Sequence, residues 1–226
     1  MTKEEKWEMF NKNKGSYPKW PNETMLKVFF GNYLKKRIDL KPDLKVLDVG
    51  CGFGNNLKPF LDLGYDCHGT EITDEMAKQT QEIISKEYKN ITIKKGTNLK
   101  LPYPDNTFDI LTSISVIHYE SSEEDLISAV NEYSRVLKDN GVLFLITGGE
   151  KHEIVQNARL VAPHIYEIKN YDFRDGNKMF FFDNEKYLEY YLKDNFADIE
   201  TGKVTEELMK RTLEFLVVVG RKSGTK

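Results

Sequence analysis

The segment Val46-Leu47-Asp48-Val49-Gly50-Cys51-Gly52-Phe53-Gly54 constrains this chain more than any other. Lys45 to Val49 reads as a short buried strand. The glycines that follow at alternate positions let the backbone turn sharply and approach a ligand with no side chain in between. Asn55 to Leu63 then reads as a helix stopped by Gly64, and its N-terminus offers free N–H groups beside the turn.

The strand-and-helix alternation continues downstream. Tyr65–Thr70, Ile91–Lys95, Phe108–Ser113 and Val142–Thr147 read as further strands. Asp74–Tyr88, with Asp74 as N-cap, and Ser122–Leu137 read as the helices among them. Alternation of this kind predicts an α/β fold, a Rossmann-like three-layer sandwich with a mostly parallel sheet covered on both faces. Before it, Lys3–Asn13 reads as a short polar helix, and Asn22 caps a second helix expected to reach about Ile38. After Gly148-Gly149 the rhythm breaks, and Glu150–Phe182 has no clear period. Asn184–Lys193 looks helical, and Phe196–Thr201 with Leu213–Gly220 suit an antiparallel hairpin that completes a seven-stranded sheet. The expected organisation is one domain: a helical cap at 1–40, a core at 41–149, a variable insertion at 150–183, and a helix with hairpin at 184–226.

The spacing of the turn is G-x-G-x-G, whereas a dinucleotide fingerprint wants G-x-G-x-x-G. It favours an amino-acid moiety near the turn over a pyrophosphate on the helix end. Glu71 follows the second strand, where a carboxylate can accept both hydroxyls of a ribose.

These residues carry a family resemblance. Val46–Gly54 followed by Gly69-Thr70-Glu71-Ile72 resembles the first motif and ribose-binding acid of class I S-adenosylmethionine (SAM) methyltransferases. Leu101–Asp109 resembles the segment leading into their fourth strand, and Arg135–Leu143 the segment entering their fifth. The resemblance implies SAM as methyl donor, with S-adenosylhomocysteine (SAH) as product. It implies that Asp48 and the backbone of Gly50, Cys51 and Gly52, with Asn55 after them, face the methionine part. Glu71 would hold the ribose, Ile72 the adenine face, and Asn98 and Leu99 the adenine edge; Ser115 would sit near the sulfonium. Many relatives have Asp where this chain has Thr97, so Thr97 or Asn98 would make the adenine amino contact. The segment Tyr17–Glu23 is similar to a Tyr-Pro loop of small bacterial methyltransferases of surface-carbohydrate or natural-product pathways, which implies that Tyr17 and Trp20 fold over the cofactor.

His118, just past the fourth strand, is the candidate general base, since its ordinary pKa suits proton transfer near neutrality; packing against the next helix is the alternative. His152 and His164 lie in the variable stretch without zinc-ligand spacing, so no metal is expected. The core at 41–149 is thus expected to bind SAM and the variable insertion at 150–183 to lie on the acceptor side, its aromatic residues Tyr166–Phe182 lining the acceptor pocket with Tyr17–Trp20. The acceptor is expected to be a small soluble molecule, and the Tyr-Pro resemblance points to O-methylation of a sugar, sugar nucleotide or secondary metabolite. N-methylation, a nucleic-acid substrate and a non-catalytic SAM-binding module are the competing readings. Against nucleic acid stand a net charge of −3 and the residues Ser113-Ile114-Ser115-Val116 where an Asn-Pro-Pro-Tyr-like motif would fall. Two isolated cysteines, no apolar leader and no membrane-length apolar run predict a cytoplasmic protein with no membrane partner.

Overall fold

A computed structural model describes residues 1–13 and 19–224. Seven strands form one sheet: β1 (Lys45–Val49), β2 (Asp66–Glu71), β3 (Ile91–Lys95), β4 (Phe108–Ile114), β5 (Leu137–Gly148), β9 (Phe196–Leu208) and β10 (Arg211–Lys222). Their order is β3-β2-β1-β4-β5-β10-β9, with the first five parallel and β10 antiparallel to both β5 and β9. The chain therefore winds outward in two directions from the boundary between β1 and β4. Ligands of open α/β sheets bind at such a switch point, beyond the carboxyl ends of the strands.

Alternate side chains of each strand feed opposite faces. Leu47, Leu111, Leu145 and Leu216 face a core completed by helices α5 (Glu123–Val136) and α7 (Glu185–Leu192). Val46, Ile110, Phe144 and Val217 face the other core, closed by α2 (Glu23–Phe30), α3 (Lys58–Asp62) and α4 (Asp74–Ile84). The two segments read as flanking β4 and β5 are tied to each other. Arg135 donates to the carbonyls of Leu101 and Tyr103 and to Asp105, while Glu132 accepts the Leu101 N–H.

Several boundaries differ from the sequence reading. Helix α2 begins at its Asn22 cap, whose Oδ1 accepts the Met25 N–H, but stops at Phe30 rather than near Ile38. Gly31 ends it in an extended conformation, and a Cβ there would lie 2.3 Å from the Lys27 carbonyl oxygen. The cap of α4 is Thr73, not Asp74, because the Thr73 hydroxyl accepts the Met76 N–H. Strand β5 starts at Leu137, ahead of the expected Val142, and absorbs Asn140 at a positive φ through a bulge against β4. Strands β9 and β10 run well past the hairpin read from the sequence.

The stretch without period, 150–183, holds the short helix α6 (Glu153–Gln156) and strands β6 (Arg159–Ala162), β7 (Ile165–Glu167) and β8 (Lys178–Phe180). The strands pair into a separate antiparallel sheet of three. The N-terminal helix α1 (Lys3–Asn13) lies against this insertion: Lys6 Nζ donates to the Asp175 carbonyl and to Asn177 Oδ1. Trp7 meets Phe173 edge-on at 4.6 Å between ring centroids and Tyr119 at 5.5 Å. Among the described residues, no helix is long and apolar enough to cross a membrane.

Candidate functional site

A cavity of about 390 Å³ opens beyond the carboxyl ends of β1, β2 and β4, within the range of roughly 300–1,000 Å³ common for small-molecule sites. Its floor is the glycine turn. Gly50, Gly52 and Gly54 have φ of 63°, 59° and 75°, the left-handed region that glycine enters without strain. They are not equivalent. A Cβ on Gly50 would press on Val116, and one on Gly54 on Ile84, whereas one on Gly52 would meet nothing within 4 Å. Gly50 and Gly54 let the turn pack against the protein, and Gly52 leaves room above the turn for something else.

Glu71 ends β2 at the cavity wall and accepts the Gly52 N–H. Burial raises its pKa to about 7, with that bond opposing the shift. Asp48 lies beneath the turn, 1% exposed, and one of its oxygens accepts the Thr112 hydroxyl at 2.6 Å. Its Oδ2 is buried without a hydrogen bond of good geometry, and burial raises the Asp48 pKa to about 7 against the opposing pull of Thr112 and the Asn56 side chain. An incompletely paired carboxylate under a turn favours positive charge above it.

Ile72, Met76, Thr97 and Leu99 form the opposite wall. Thr97 and Lys100 exchange two backbone hydrogen bonds, which closes a tight loop at this edge. Asn98 lines the cavity, but its amide is committed inward. Nδ2 donates to Glu120 at 2.7 Å, and Oδ1 accepts from the Tyr133 hydroxyl at 2.6 Å. Ser115 also lines the cavity at φ 59°, a strained conformation for a residue with a side chain, held by its N–H donating to the Ile146 carbonyl.

Eight of the residues read from the sequence therefore surround one cavity: Gly50, Gly52, Glu71, Ile72, Thr97, Asn98, Leu99 and Ser115. Asp48 supports it from below. Cys51 is buried with its sulfur toward Gly69, and Asn55 opens a 3-10 turn; neither lines the cavity. Trp20 is 84% exposed and away from the cavity, and Tyr17 lies outside the described residues.

His118 does not reach the cavity either. It is 6% exposed, stacks on Phe181, and its Nδ1 accepts the Gly148 N–H at 3.2 Å beside the Thr147 hydroxyl. Burial lowers its pKa to about 3, so the ring is neutral. The ring packs against Phe181 and the end of β5 and not against the next helix. His152 caps α6 and His164 pairs with Asp183; among the described residues no cluster fit for a metal ion occurs.

The sequence reading missed the roof. Lys3, Glu4 and Trp7 from α1, with Tyr119 and Glu120 after β4, complete the cavity. Burial raises the pKa of Glu120, and the nearby Lys3 opposes that shift. The nearest signal was the cluster Trp7, Met9 and Phe10 in an otherwise polar helix.

Comparison with known proteins agrees with this architecture. The methyltransferase-domain family matches residues 47–145, the span from β1 through most of β5. An uncharacterised methyltransferase, YcgJ of Bacillus subtilis, is 33% identical over 112 residues, which cover 49% of this chain and 43% of that protein. A probable tRNA methyltransferase 9B of Mus musculus is 36% identical over 110 residues, 47% of this chain and 22% of that one. The chain thus spans less than half the length of these relatives. Among solved structures, a SAM-dependent methyltransferase of Methanosarcina mazei superposes with a TM-score of 0.64 at 20% identity, over 82% of this chain and 99% of that one, a likeness of fold.

Proposed function

We propose that this chain, which belongs to the class I SAM-dependent methyltransferases, transfers the methyl group of SAM to a small acceptor bound under helix α1. The observation that carries this reading is the open space over Gly52 with the buried carboxylate of Glu71 at its edge, at the switch point of the sheet. SAM, when bound, supplies an electrophilic methyl on a sulfonium centre. The residues present fit it. The backbone of Gly50 and Gly52 would take the amino-acid part, with the Asp48 charge beneath favouring its ammonium group. Glu71 would accept the ribose hydroxyls. Ile72 and Leu99 would cover the adenine, the Thr97 loop would meet its edge, and Ser115 would border the sulfonium.

The rest of the cavity's work is to hold an acceptor in line and keep water out. Trp7 and Tyr119 supply an apolar roof for that purpose. A hydroxyl acceptor, as on a sugar or secondary metabolite, must also lose a proton. The His118 ring is not placed to take that proton, since it does not line the cavity. The size of the cavity and the net charge of −3 support a small molecule over nucleic acid, although one relative is named for tRNA.

Calorimetric titration of the protein with SAM, SAH and NAD, repeated on Glu71→Ala, tests the reading. Micromolar binding of SAM or SAH, no NAD binding, and at least about a tenfold loss (about 1.4 kcal/mol) in the variant are expected. Absence of SAM and SAH binding, or binding indifferent to Glu71, would remove the site.

A further inference from the structure

The roof of the cavity already holds a cation. Lys3 Nζ lies 5.5 Å from the centroid of the Tyr119 ring and over its face, and donates to the Tyr119 carbonyl at 3.1 Å. Tyr119 stands edge-on to Trp7, so two aromatic rings meet at this spot. The carboxylates of Glu4 and Glu120 line the same cavity. Glu120 is held rigidly, with one oxygen accepting from Asn98 Nδ2, whose own oxygen is fixed by Tyr133 and, behind it, Ser113. Aromatic faces beside a fixed carboxylate form the usual surroundings of an ammonium group, where ring quadrupole and negative charge act together.

The charges explain why Lys3 sits there. With Lys3 in place, its ammonium offsets Glu120. A second cation, Arg174, is paired with Asp172 and also bonds the Tyr119 side chain, so it is committed to its own partners. Without Lys3, the carboxylates of Glu4 and Glu120 would have no paired cation among the described residues. Lys3 is carried by α1, a short helix that meets Tyr119, Phe173, Asp175 and Asn177. An incoming cation on a small molecule would compete with it on the same terms.

We infer that the roof formed by Trp7, Tyr119, Glu4 and Glu120 is a subsite for a cationic nitrogen group of the methyl acceptor, and that Lys3 occupies it as a stand-in until the acceptor arrives. This rests on the proposed methyl transfer in the same cavity, and it narrows the acceptor to molecules bearing an ammonium or quaternary amine. The methyl-accepting atom is a separate matter: an amine anchored here can carry its reacting hydroxyl or second nitrogen elsewhere.

The test uses the full chain saturated with SAH and three probes of one shape: benzylamine, benzyl alcohol and benzoate, titrated by calorimetry. Benzylamine is expected to bind at least about tenfold more tightly than benzyl alcohol, and benzoate not to bind. Glu120→Gln, which keeps an oxygen for Asn98, is expected to erase that preference while SAH binding persists as a control for folding. Lys3→Met is expected to tighten benzylamine about threefold or more by removing the competing ammonium. Benzoate binding that Lys3→Met abolishes would overturn the inference, since Lys3 would then be an anchor for anions. Equal binding of amine and alcohol, with SAH bound normally, would overturn it alone. Failure of SAH to bind would bring down the methyltransferase site and the subsite together.

Discussion

The floor and the roof of the cavity are built on different principles. The floor is backbone: a glycine turn between β1 and α3, fixed by strand pairing on both sides and by packing of Gly50 on Val116 and Gly54 on Ile84. The roof is side chains: Trp7, Lys3 and Glu4 on a mostly polar helix, joined to the insertion by two lysine contacts and one aromatic cluster. A floor of this kind tolerates almost no substitution, because backbone conformation decides it. A roof of this kind can be rewritten residue by residue, and in such sites it sets what the common floor is used for.

Substitutions can break that contrast, and their effects on SAM binding should fall off in order. Gly52→Val should act most strongly. Its side chain would fill the space over the turn, so SAM affinity should drop at least about a hundredfold by calorimetry. The left-handed φ should cost only about 1–2 kcal/mol in thermal unfolding, because no protein atom lies within reach of the new Cβ. A variant that still binds SAM would show that the cavity over Gly52 is not where the donor sits.

Next comes pH. Glu71 and Asp48 are both raised to about 7 by burial. Hydroxyl donors on Glu71 favour its ionised form, so SAM affinity should rise with pH up to about 7, by at most about tenfold per unit, and binding should release a proton. Titration in buffers of different ionisation enthalpy measures that proton. The ligand-free protein should behave in the opposite sense. Carboxyls with raised folded pKa values hold more protons than in the unfolded chain, so their contribution to stability is lost as pH rises from about 4 to about 7. Asp48→Asn should flatten that slope in thermal unfolding measured across the window.

Trp7→Ala should affect the roof with little effect on the floor. Its edge-on contacts are each worth about 0.5–1.5 kcal/mol beyond area, so α1 should detach and be cut faster by trypsin at Lys6 and Lys12. SAM affinity should change less than about threefold, and a larger change would merge the two regions into one functional unit.

His118→Gln should be smallest in its effect on SAM. The variant leaves the Gly148 N–H without its ring acceptor, at a cost of about 1–3 kcal/mol in stability, while SAM affinity and its pH dependence stay unchanged. A shift of the pH profile would return His118 to the site.

The same contrast explains what could be read from sequence. The floor was legible because backbone geometry leaves its mark on residue identity: Gly50, Gly52 and Gly54 stand where φ is positive, and Glu71 stands at a strand end that strand periodicity locates. The mostly parallel sheet with its antiparallel C-terminal pair followed from the alternation of elements, and the strand order did not. Helix and strand ends were less legible. Gly31 ends α2 by a close approach to the Lys27 carbonyl, and Thr73 captures the cap of α4 from Asp74, both decided by local geometry that periodicity does not carry. The roof was not legible. Strands of only three or four residues such as β6, β7 and β8 have too few alternations to register, and nothing local says that Trp7 meets Tyr119 across 112 positions of chain. His118 misled because its residue type and place after β4 suit a base, whereas the burial that neutralises it is a tertiary fact.

One feature of the far end of the molecule bears on its behaviour in solution. Strand β9 closes the sheet at its edge, thirteen residues long, with one row of backbone groups turned outward. Such a row is a template onto which another strand can add. Lys203, Glu206 and Glu207 stand exposed along it, and the hairpin ends at Met209. Charge spaced in this way keeps two copies from zipping edge to edge. Replacing it with apolar residues would leave the cavity intact and make this edge a template for pairing with another copy.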